Sequence, residues 1–130
     1  MLNFARMSEQ LRVTLVQNSL IWENPGANRR KFDQVIKEIA DTDLVILPEM
    51  CTTGFSMNPE KLAEQADGPT LEWLKRLAQW KNIAVIAGVM VQENDAYYNR
   101  LYFVEPNGST QKYDKRHLFS LAGEEKIFSG

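Results

Sequence analysis

The clearest indication of the architecture lies in one run of residues, Asp43-Leu44-Val45-Ile46-Leu47-Pro48-Glu49. Its centre is short and continuously apolar, which is typical of a β-strand covered on both faces. Pro48 ends this strand, because proline has no N–H group to donate to a neighbouring strand. The sequence therefore predicts a buried strand with Glu49 directly after its carboxyl end.

The segments on either side predict an alternation of strands and helices. Leu11–Gln17 alternates apolar and polar residues as a strand does, and Ile83–Val91 is another continuously apolar run. Asn24-Pro25-Gly26 opens a helix, residues 59–66 predict a short helix, and Asp67-Gly68-Pro69-Thr70 opens a further one. The two longer helices have apolar stripes at spacings of three and four residues, formed by Phe32, Val35, Ile36, Ile39 and Ala40 and by Leu71, Leu74, Leu77 and Ala78.

The last part of the chain predicts a β-hairpin. Leu101–Val104 is a fourth strand, Asn107-Gly108 is a strong turn signal because both residues tolerate positive φ, and Gln111–Lys115 is the returning fifth strand. The order is thus β-α-β-α-β followed by a β-hairpin. This order predicts an α/β fold with a parallel sheet and right-handed crossovers.

Charge and composition exclude several classes of function. The 130 residues include 15 basic and 17 acidic ones, and a net charge of −2 argues against nucleic acid or an anionic membrane as the main partner. The longest apolar run, residues 83–91, is far shorter than the roughly 20 residues of a membrane-spanning helix. Cys51 and His117 are each alone in the sequence, which excludes a disulfide framework and multi-cysteine or two-histidine metal motifs. A reducing, cytoplasmic setting fits this cysteine usage.

Glu49 and Lys115 are the residues best placed for chemistry. Functional loops of open α/β sheets gather at the carboxyl ends of the strands, so Glu49 is a candidate general base in a partly desolvated position. Lys115 closes the last strand, where its charge can stabilise an oxyanion. The simpler alternatives are a loop or capping acid and an exposed lysine. Along an extended strand, Tyr113, Lys115 and His117 share one face and Arg116 lies on the other.

Three short strings occur in a fixed order, namely Leu47-Pro48-Glu49-Met50, Thr52-Thr53-Gly54-Phe55-Ser56 and Tyr113-Asp114-Lys115-Arg116-His117-Leu118. Together with Leu11–Gln17 and Tyr98-Asn99-Arg100-Leu101-Tyr102, they resemble the nitrilase superfamily of carbon–nitrogen hydrolases. The resemblance runs from about Leu11 to the last residue. The second and third strings look most like the ω-amidase branch of this superfamily.

This resemblance implies a Glu-Lys-Cys catalytic triad. In it, Glu49 is the base that activates the thiol, and Lys115 stabilises the tetrahedral intermediate. A further glutamate of the family maps to Glu124 or Glu125. Glu124 is preferred because it directly follows Gly123.

The resemblance also implies residues that surround the triad. Phe55 and His117 are expected to shape and orient the site, and Arg116 is a candidate for a substrate carboxylate if the chain leaves the extended path there. The nucleophilic cysteine of the family lies beyond the lysine motif and beyond residue 130, so Cys51 is expected to be a packing residue. No metal or organic cofactor is implied, because the chemistry is covalent and acid–base.

Members of this superfamily form a four-layer α-β-β-α sandwich that needs a longer chain. We therefore expect the first half of such a sandwich, apparently truncated, with an N-terminal extension at residues 1–10 and a partial hydrolase domain at residues 11–130. An open sheet edge and little or no turnover are expected of this piece alone. The family habit also implies a homo-oligomer, a dimer or larger.

The leading functional hypothesis, which rests on the resemblance, is an amidase for small linear amides. The expected substrates are ω-amides of 2-oxo dicarboxylic acids such as 2-oxoglutaramate. A nitrilase, a carbamoylase or a glutaminase stays open within the enzyme class. From a different class, a non-catalytic α/β fragment or binding module stays open.

Overall fold

A mixed β-sheet organises residues 10–130, the part of the chain that the computed structural model describes. Its strands are β1 (Val13–Leu15), β2 (Leu44–Ile46), β3 (Glu64–Gln65), β4 (Ala84–Glu93), β5 (Ala96–Val104) and β6 (Thr110–Asp114). Neighbouring strands follow the order β1-β2-β4-β5-β6, and β3 pairs with β4. The predicted α/β class is confirmed, while residues 1–9 of the predicted N-terminal extension lie outside the described residues.

In the described residues, three α-helices accompany the sheet: α1 (Pro25–Lys37), α2 (Pro59–Leu62) and α3 (Pro69–Lys81). The start of α1 is fixed by Asn24, whose side chain accepts a hydrogen bond from the backbone N–H of Ala27. The apolar stripes of α1 and α3 pack on one face of the sheet. Their common core includes Phe32, Ile36, Leu74, Leu77, Val45, Val85 and Val89. None of the helices within residues 10–130 is long and apolar enough to cross a membrane.

The helix predicted for residues 59–66 is shorter than expected. It ends at Leu62, and Glu64–Gln65 instead form β3, which runs parallel to β4. The carboxylate of Glu64 explains the change, because it accepts hydrogen bonds from the backbone N–H and the hydroxyl of Thr70 at the start of α3. It also pairs with Arg29 of α1, so these contacts hold Glu64 in an extended segment.

The antiparallel part of the sheet contains one hairpin more than the sequence predicted. The hairpin at Asn107-Gly108 is present and joins β5 to β6. A second tight turn joins β4 to β5 at Asn94 and Asp95, whose φ angles are 51° and 61°. Because this turn comes early, β5 starts at Ala96 rather than at Leu101. Within residues 10–130, four strands that pair in parallel, β1 to β4, are therefore followed by two successive hairpins.

The two long helices, α1 and α3, cover one face of the sheet, and on the other face the side chains of Leu44 and Ile46 are partly exposed, so the prediction that β2 is covered on both faces is wrong for residues 10–130. Strand pairing aligns side chains on the opposite face, because alternate residues of a strand share a face. These are apolar and at least partly exposed, and they include Leu15 (72% exposed), Ile46, Ile86, Leu101, Phe103 and Tyr113. No element of the described part of the chain covers them.

Candidate active site

The position of Glu49 is set by a turn that lies directly on β4. The turn follows β2, and Met50 within it has a φ of 44°. The backbone N–H of Cys51 donates to the carbonyl of Gly88 over 2.9 Å. Gly88 permits this close approach, because a Cβ atom there would lie 2.8 Å from the Cα of Glu49. The glycine therefore fixes where the Glu49 backbone lies.

Lys115 reaches the same place from β6, the strand at one edge of the sheet. It directly follows β6, and its backbone N–H donates to the carbonyl of Asn99 on β5 over 3.0 Å. Its Nζ atom donates to Glu49 Oε1 over 2.8 Å and to Glu124 Oε2 over 2.9 Å. The Lys115 side chain is 30% exposed. Two residues 66 positions apart in the chain thus meet through one ammonium group.

Glu124 is the buried member of this cluster. It begins a 3₁₀ turn, Glu124–Lys126, directly after Gly123, whose φ is 74°. Its side chain is 0% exposed, and it accepts hydrogen bonds from Asn99 Nδ2 over 2.9 Å and from the Phe119 backbone N–H over 2.7 Å. Glu125 is exposed. The structure places Glu124, and not Glu125, against Lys115.

The charges of Glu124 and Lys115 stabilise each other. Burial by itself raises the pKa of Glu124, but the hydrogen bonds from Asn99, Phe119 and Lys115 outweigh it and hold this pKa below its ordinary value of 4.5. Partial burial likewise lowers the pKa of Lys115, and the hydrogen bonds and charges of Glu49 and Glu124 outweigh that effect and raise it above 10.5. At neutral pH, Glu124 is therefore ionised and Lys115 is protonated.

About half of the Glu49 side chain is buried. It is 49% exposed, because it lies at the uncovered apolar face of the sheet. Its Oε1 atom accepts hydrogen bonds from Lys115 and, over 2.6 Å, from Asn99 Nδ2. Glu49 therefore lies beside Lys115 in a partly desolvated position.

Asn99 belongs to this cluster, although no strong signal in the sequence marks it as a site residue. It lies on β5 and is 4% exposed. It occurs in the string Tyr98-Asn99-Arg100-Leu101-Tyr102, which contributed only to the family resemblance. A polar residue in an otherwise strand-like segment is a weak signal, since its burial and its partners depend on the pairing of β5 with β4 and β6.

The remaining predicted residues differ in how close they come. Phe55 lies beside Lys115, with its ring centroid 5.3 Å from Nζ, and it contacts Phe119. His117 is exposed, and within residues 10–130 it makes no hydrogen bond or ring contact to the cluster. The shared face predicted for His117 is wrong, because β6 ends at Asp114 and the chain bends at residues 116–117. The same bend brings the guanidinium of Arg116 to 5.7 Å from the Tyr113 ring centroid.

A hollow of about 250 Å³ lies beside the charged cluster. Glu49, Asn99 and Lys115 form its polar side, and the rest of its lining is mostly apolar, with Leu47, Ile86, Leu101 and Tyr113. A larger hollow of about 430 Å³ near Met57, Tyr97 and Lys126 contains none of the charged cluster. Within residues 10–130, no group of three His, Cys, Asp or Glu side chains is arranged to hold a metal ion. Because the charged cluster lines the smaller hollow and not the larger one, the smaller hollow is the better place for a small substrate.

Cys51 is fully buried in the main core, which agrees with the prediction that it is a packing residue. Burial raises the pKa of its thiol to about 12, so little reactive thiolate is present at neutral pH.

We expect a thiol reagent such as 5,5′-dithiobis(2-nitrobenzoate) to leave Cys51 unmodified in the folded chain and to modify it after denaturation. Mass spectrometry of the tryptic peptide checks this, and rapid labelling of Cys51 in the folded protein would contradict it.

Comparisons with known proteins identify the family. The family model described as carbon-nitrogen hydrolase matches residues 12–129. The chain belongs to the carbon–nitrogen hydrolase family. Within this family, the omega-amidase YafV of Yersinia enterocolitica is 39% identical over 116 residues, which are 88% of this chain and 44% of that protein. The 2-oxoglutaramate amidase of Bacillus subtilis is 32% identical over 121 residues, which are 90% of this chain and 47% of that protein.

A solved structure of the same family has the same architecture. XC1258 from Xanthomonas campestris, described as a CN-hydrolase superfamily protein with an arsenic adduct in the active site, superposes with a TM-score of 0.88 and 39% identity. The match covers 92% of this carbon–nitrogen hydrolase chain and 45% of XC1258. The chain therefore spans somewhat less than half the length of the relatives it matches. The resemblance that the sequence motifs indicated is confirmed.

Proposed function

We propose that the gene product carrying these residues is an amidase for small linear amides, with ω-amides of 2-oxo dicarboxylic acids such as 2-oxoglutaramate as its substrates. The observation that carries this proposal is the convergence of Glu49 and Glu124 on the Nζ atom of Lys115, beside a hollow of small-molecule size. The names of the relatives that are 39% and 32% identical support the substrate class.

The charged cluster provides a base and a fixed cation for amide hydrolysis. Glu49 has an exposed carboxylate that takes a proton from a thiol, and the thiolate forms a bond to the amide carbonyl carbon. The carbonyl electron pair moves to the oxygen, which accepts a hydrogen bond from Lys115. When the C–N bond breaks, Glu49 returns the proton to the leaving nitrogen and ammonia departs. Water then attacks the thioester, Glu49 takes the proton of the water and gives it to the departing thiolate, and the acid and the free thiol are released.

The thiol in this mechanism comes from a cysteine outside these 130 residues. Cys51 does not fit the role, because it is fully buried and its thiol has a raised pKa. Glu124 is too buried to exchange protons with a substrate, so its part is to hold Lys115 charged and in place.

Around the cluster, Phe55 provides an apolar wall beside Lys115, and Arg116 binds the carboxylate of the substrate. The role of Arg116 requires that the chain leave the extended path at this residue, and the bend at residues 116–117 supports it. A shell role for His117 stays a prediction without a supporting contact in residues 10–130. A cytoplasmic location and a homo-oligomer also belong to this proposal, the first from the cysteine usage and the second from the family resemblance.

Ammonia release by the full gene product tests the proposed function. We expect kcat/KM for 2-oxoglutaramate to exceed that for butyramide, which lacks both the carboxylate and the 2-oxo group, by at least about 10- to 100-fold, the range that one charged hydrogen bond to the carboxylate contributes. Arg116→Gln is expected to lower the rate with 2-oxoglutaramate and leave butyramide unaffected. Glutamine, an N-carbamoyl amino acid and a nitrile serve as comparison substrates. Faster turnover of any of these three, or no ammonia from 2-oxoglutaramate, would contradict the proposal.

A further inference from the structure

Asn99 contacts every charged member of the cluster. Its backbone carbonyl accepts the N–H of Lys115 over 3.0 Å. Its Nδ2 atom donates to Glu49 Oε1 over 2.6 Å and to Glu124 Oε1 over 2.9 Å. The Asn99 side chain is almost fully buried, and its contact with Glu124 is buried as well, while the Glu49 carboxylate is about half exposed. A single residue of β5 therefore connects three residues that come from distant parts of the chain.

The hydrogen bonds of the cluster form a closed ring. Asn99 Nδ2 and Lys115 Nζ each donate to both carboxylates, those of Glu49 and Glu124. The amide has two N–H groups, and each serves a different carboxylate. The ammonium has three N–H groups, and the two carboxylates use two of them, which leaves one for a substrate oxygen. The ring thus restrains both carboxylates and still leaves Lys115 a free donor.

The neutrality of the amide matters for the base. The ring holds two carboxylates and one ammonium group, so it has a net charge of −1 when all three are ionised. A second cation at position 99 would neutralise that charge and compete with Lys115 for the two carboxylates. An aspartate there would have no N–H to donate and would repel both carboxylates. A short, neutral side chain with two donors meets both requirements.

We propose that Asn99 is a positioning residue of the amidase reaction, whose amide group holds the carboxylates of Glu49 and Glu124 against Lys115 so that Glu49 stays correctly oriented. The proposal rests on the proposed function. Asn99 acts through Glu49 and does not itself react with the substrate. Its removal therefore affects the rate of the chemical step and its dependence on pH more than the binding of substrate.

Two variants of the full gene product, Asn99→Asp and Asn99→Ala, test this role with 2-oxoglutaramate. We expect kcat to fall by about 10²-fold in each, at the lower end of what general base catalysis contributes, with KM changed by less than about threefold. We also expect the acid limb of the pH dependence of kcat/KM to move to higher pH, because the hydrogen bond from Asn99 lowers the pKa of Glu124 and its loss favours the protonated Glu124, which no longer holds Lys115 in place. Asn107→Asp is the matched control, since Asn107 accepts a hydrogen bond from the Ser109 N–H through an oxygen that aspartate also has.

The outcomes separate this proposal from the proposed function. If Glu49→Gln retains full turnover, the proposed function fails whatever the Asn99 variants do. If Glu49→Gln is inactive while both Asn99 variants keep the wild-type kcat and pH profile, only the role of Asn99 is wrong. Circular dichroism and thermal melting monitor the fold. Loss of the fold in both variants would also overturn the proposal, because Asn99 would then be a structural residue.

Discussion

Replacing Lys115 with alanine is expected to lower the kcat of the full gene product on 2-oxoglutaramate by about 10³-fold, the upper range for loss of one oxyanion donor. Two effects add in this variant. The substrate oxygen loses its cationic donor, and the carboxylates of Glu49 and Glu124 lose the charge that lies between them. Glu124 is fully buried, so without Lys115 it favours its protonated form. Steady-state ammonia release measures the effect.

Lys112→Ala is the matched control for this prediction. Lys112 lies on β6 three residues before Lys115, is exposed and pairs with Glu93 over 2.9 Å, away from the charged cluster. We expect this variant to keep its activity, because an exposed ion pair contributes about 1 kcal/mol or less. A Lys115→Ala enzyme that retains more than about a tenth of the wild-type kcat would contradict the assigned role.

Gly88→Ala is expected to lower both stability and activity. The added Cβ atom would lie 2.8 Å from the Cα of Glu49 and 2.9 Å from the backbone nitrogen of Met50. Because both neighbours are backbone atoms, the turn that follows β2 must move away from β4. Overpacking of this kind costs about 1–3 kcal/mol in the free energy of unfolding. A displacement of Glu49 near 1 Å lowers kcat by about 10²-fold. Urea unfolding and ammonia release measure the two effects.

Gly26→Ala provides the control for an added methyl group. Gly26 lies in the first turn of α1, and a Cβ atom there meets only the Arg30 side chain at 3.4 Å. We expect unchanged activity and equal or slightly higher stability, because alanine favours the helix more than glycine does. Wild-type stability and turnover in Gly88→Ala would show that the turn does not depend on close contact with β4.

Local signals in the sequence predicted most of the fold. The apolar run before Pro48, the cap at Asn24 and the turn at Asn107-Gly108 each occur where the structure has the corresponding element. The β4–β5 turn was missed, because Asn94 and Asp95 adopt positive φ without a glycine to mark them. β3 was missed as well, because two contacts that local patterns do not show hold Glu64 in the extended form. Arg29 is 35 positions away in the chain, and Thr70 comes within reach only where α3 begins.

The charged cluster was only partly predictable. Glu49 stood out because it follows a predicted strand, and Lys115 because it closes one. Glu124 came only from the family resemblance, and its place after Gly123 favoured it over Glu125. Asn99 gave no comparable signal, since its burial and partners follow from strand pairing and not from its neighbours in the sequence. The shared face assigned to His117 assumed an extended chain, and the bend after β6 removed that basis.

A crystal structure of the full gene product with a bound amide or acyl group would show whether Glu49 and Lys115 act together on one carbonyl group. We expect the carbonyl oxygen to lie within hydrogen-bond distance of Lys115 Nζ, and a cysteine sulfur and the Glu49 carboxylate to lie beside the carbonyl carbon. An acyl group bound away from Glu49 and Lys115, or attached to Cys51, would contradict it.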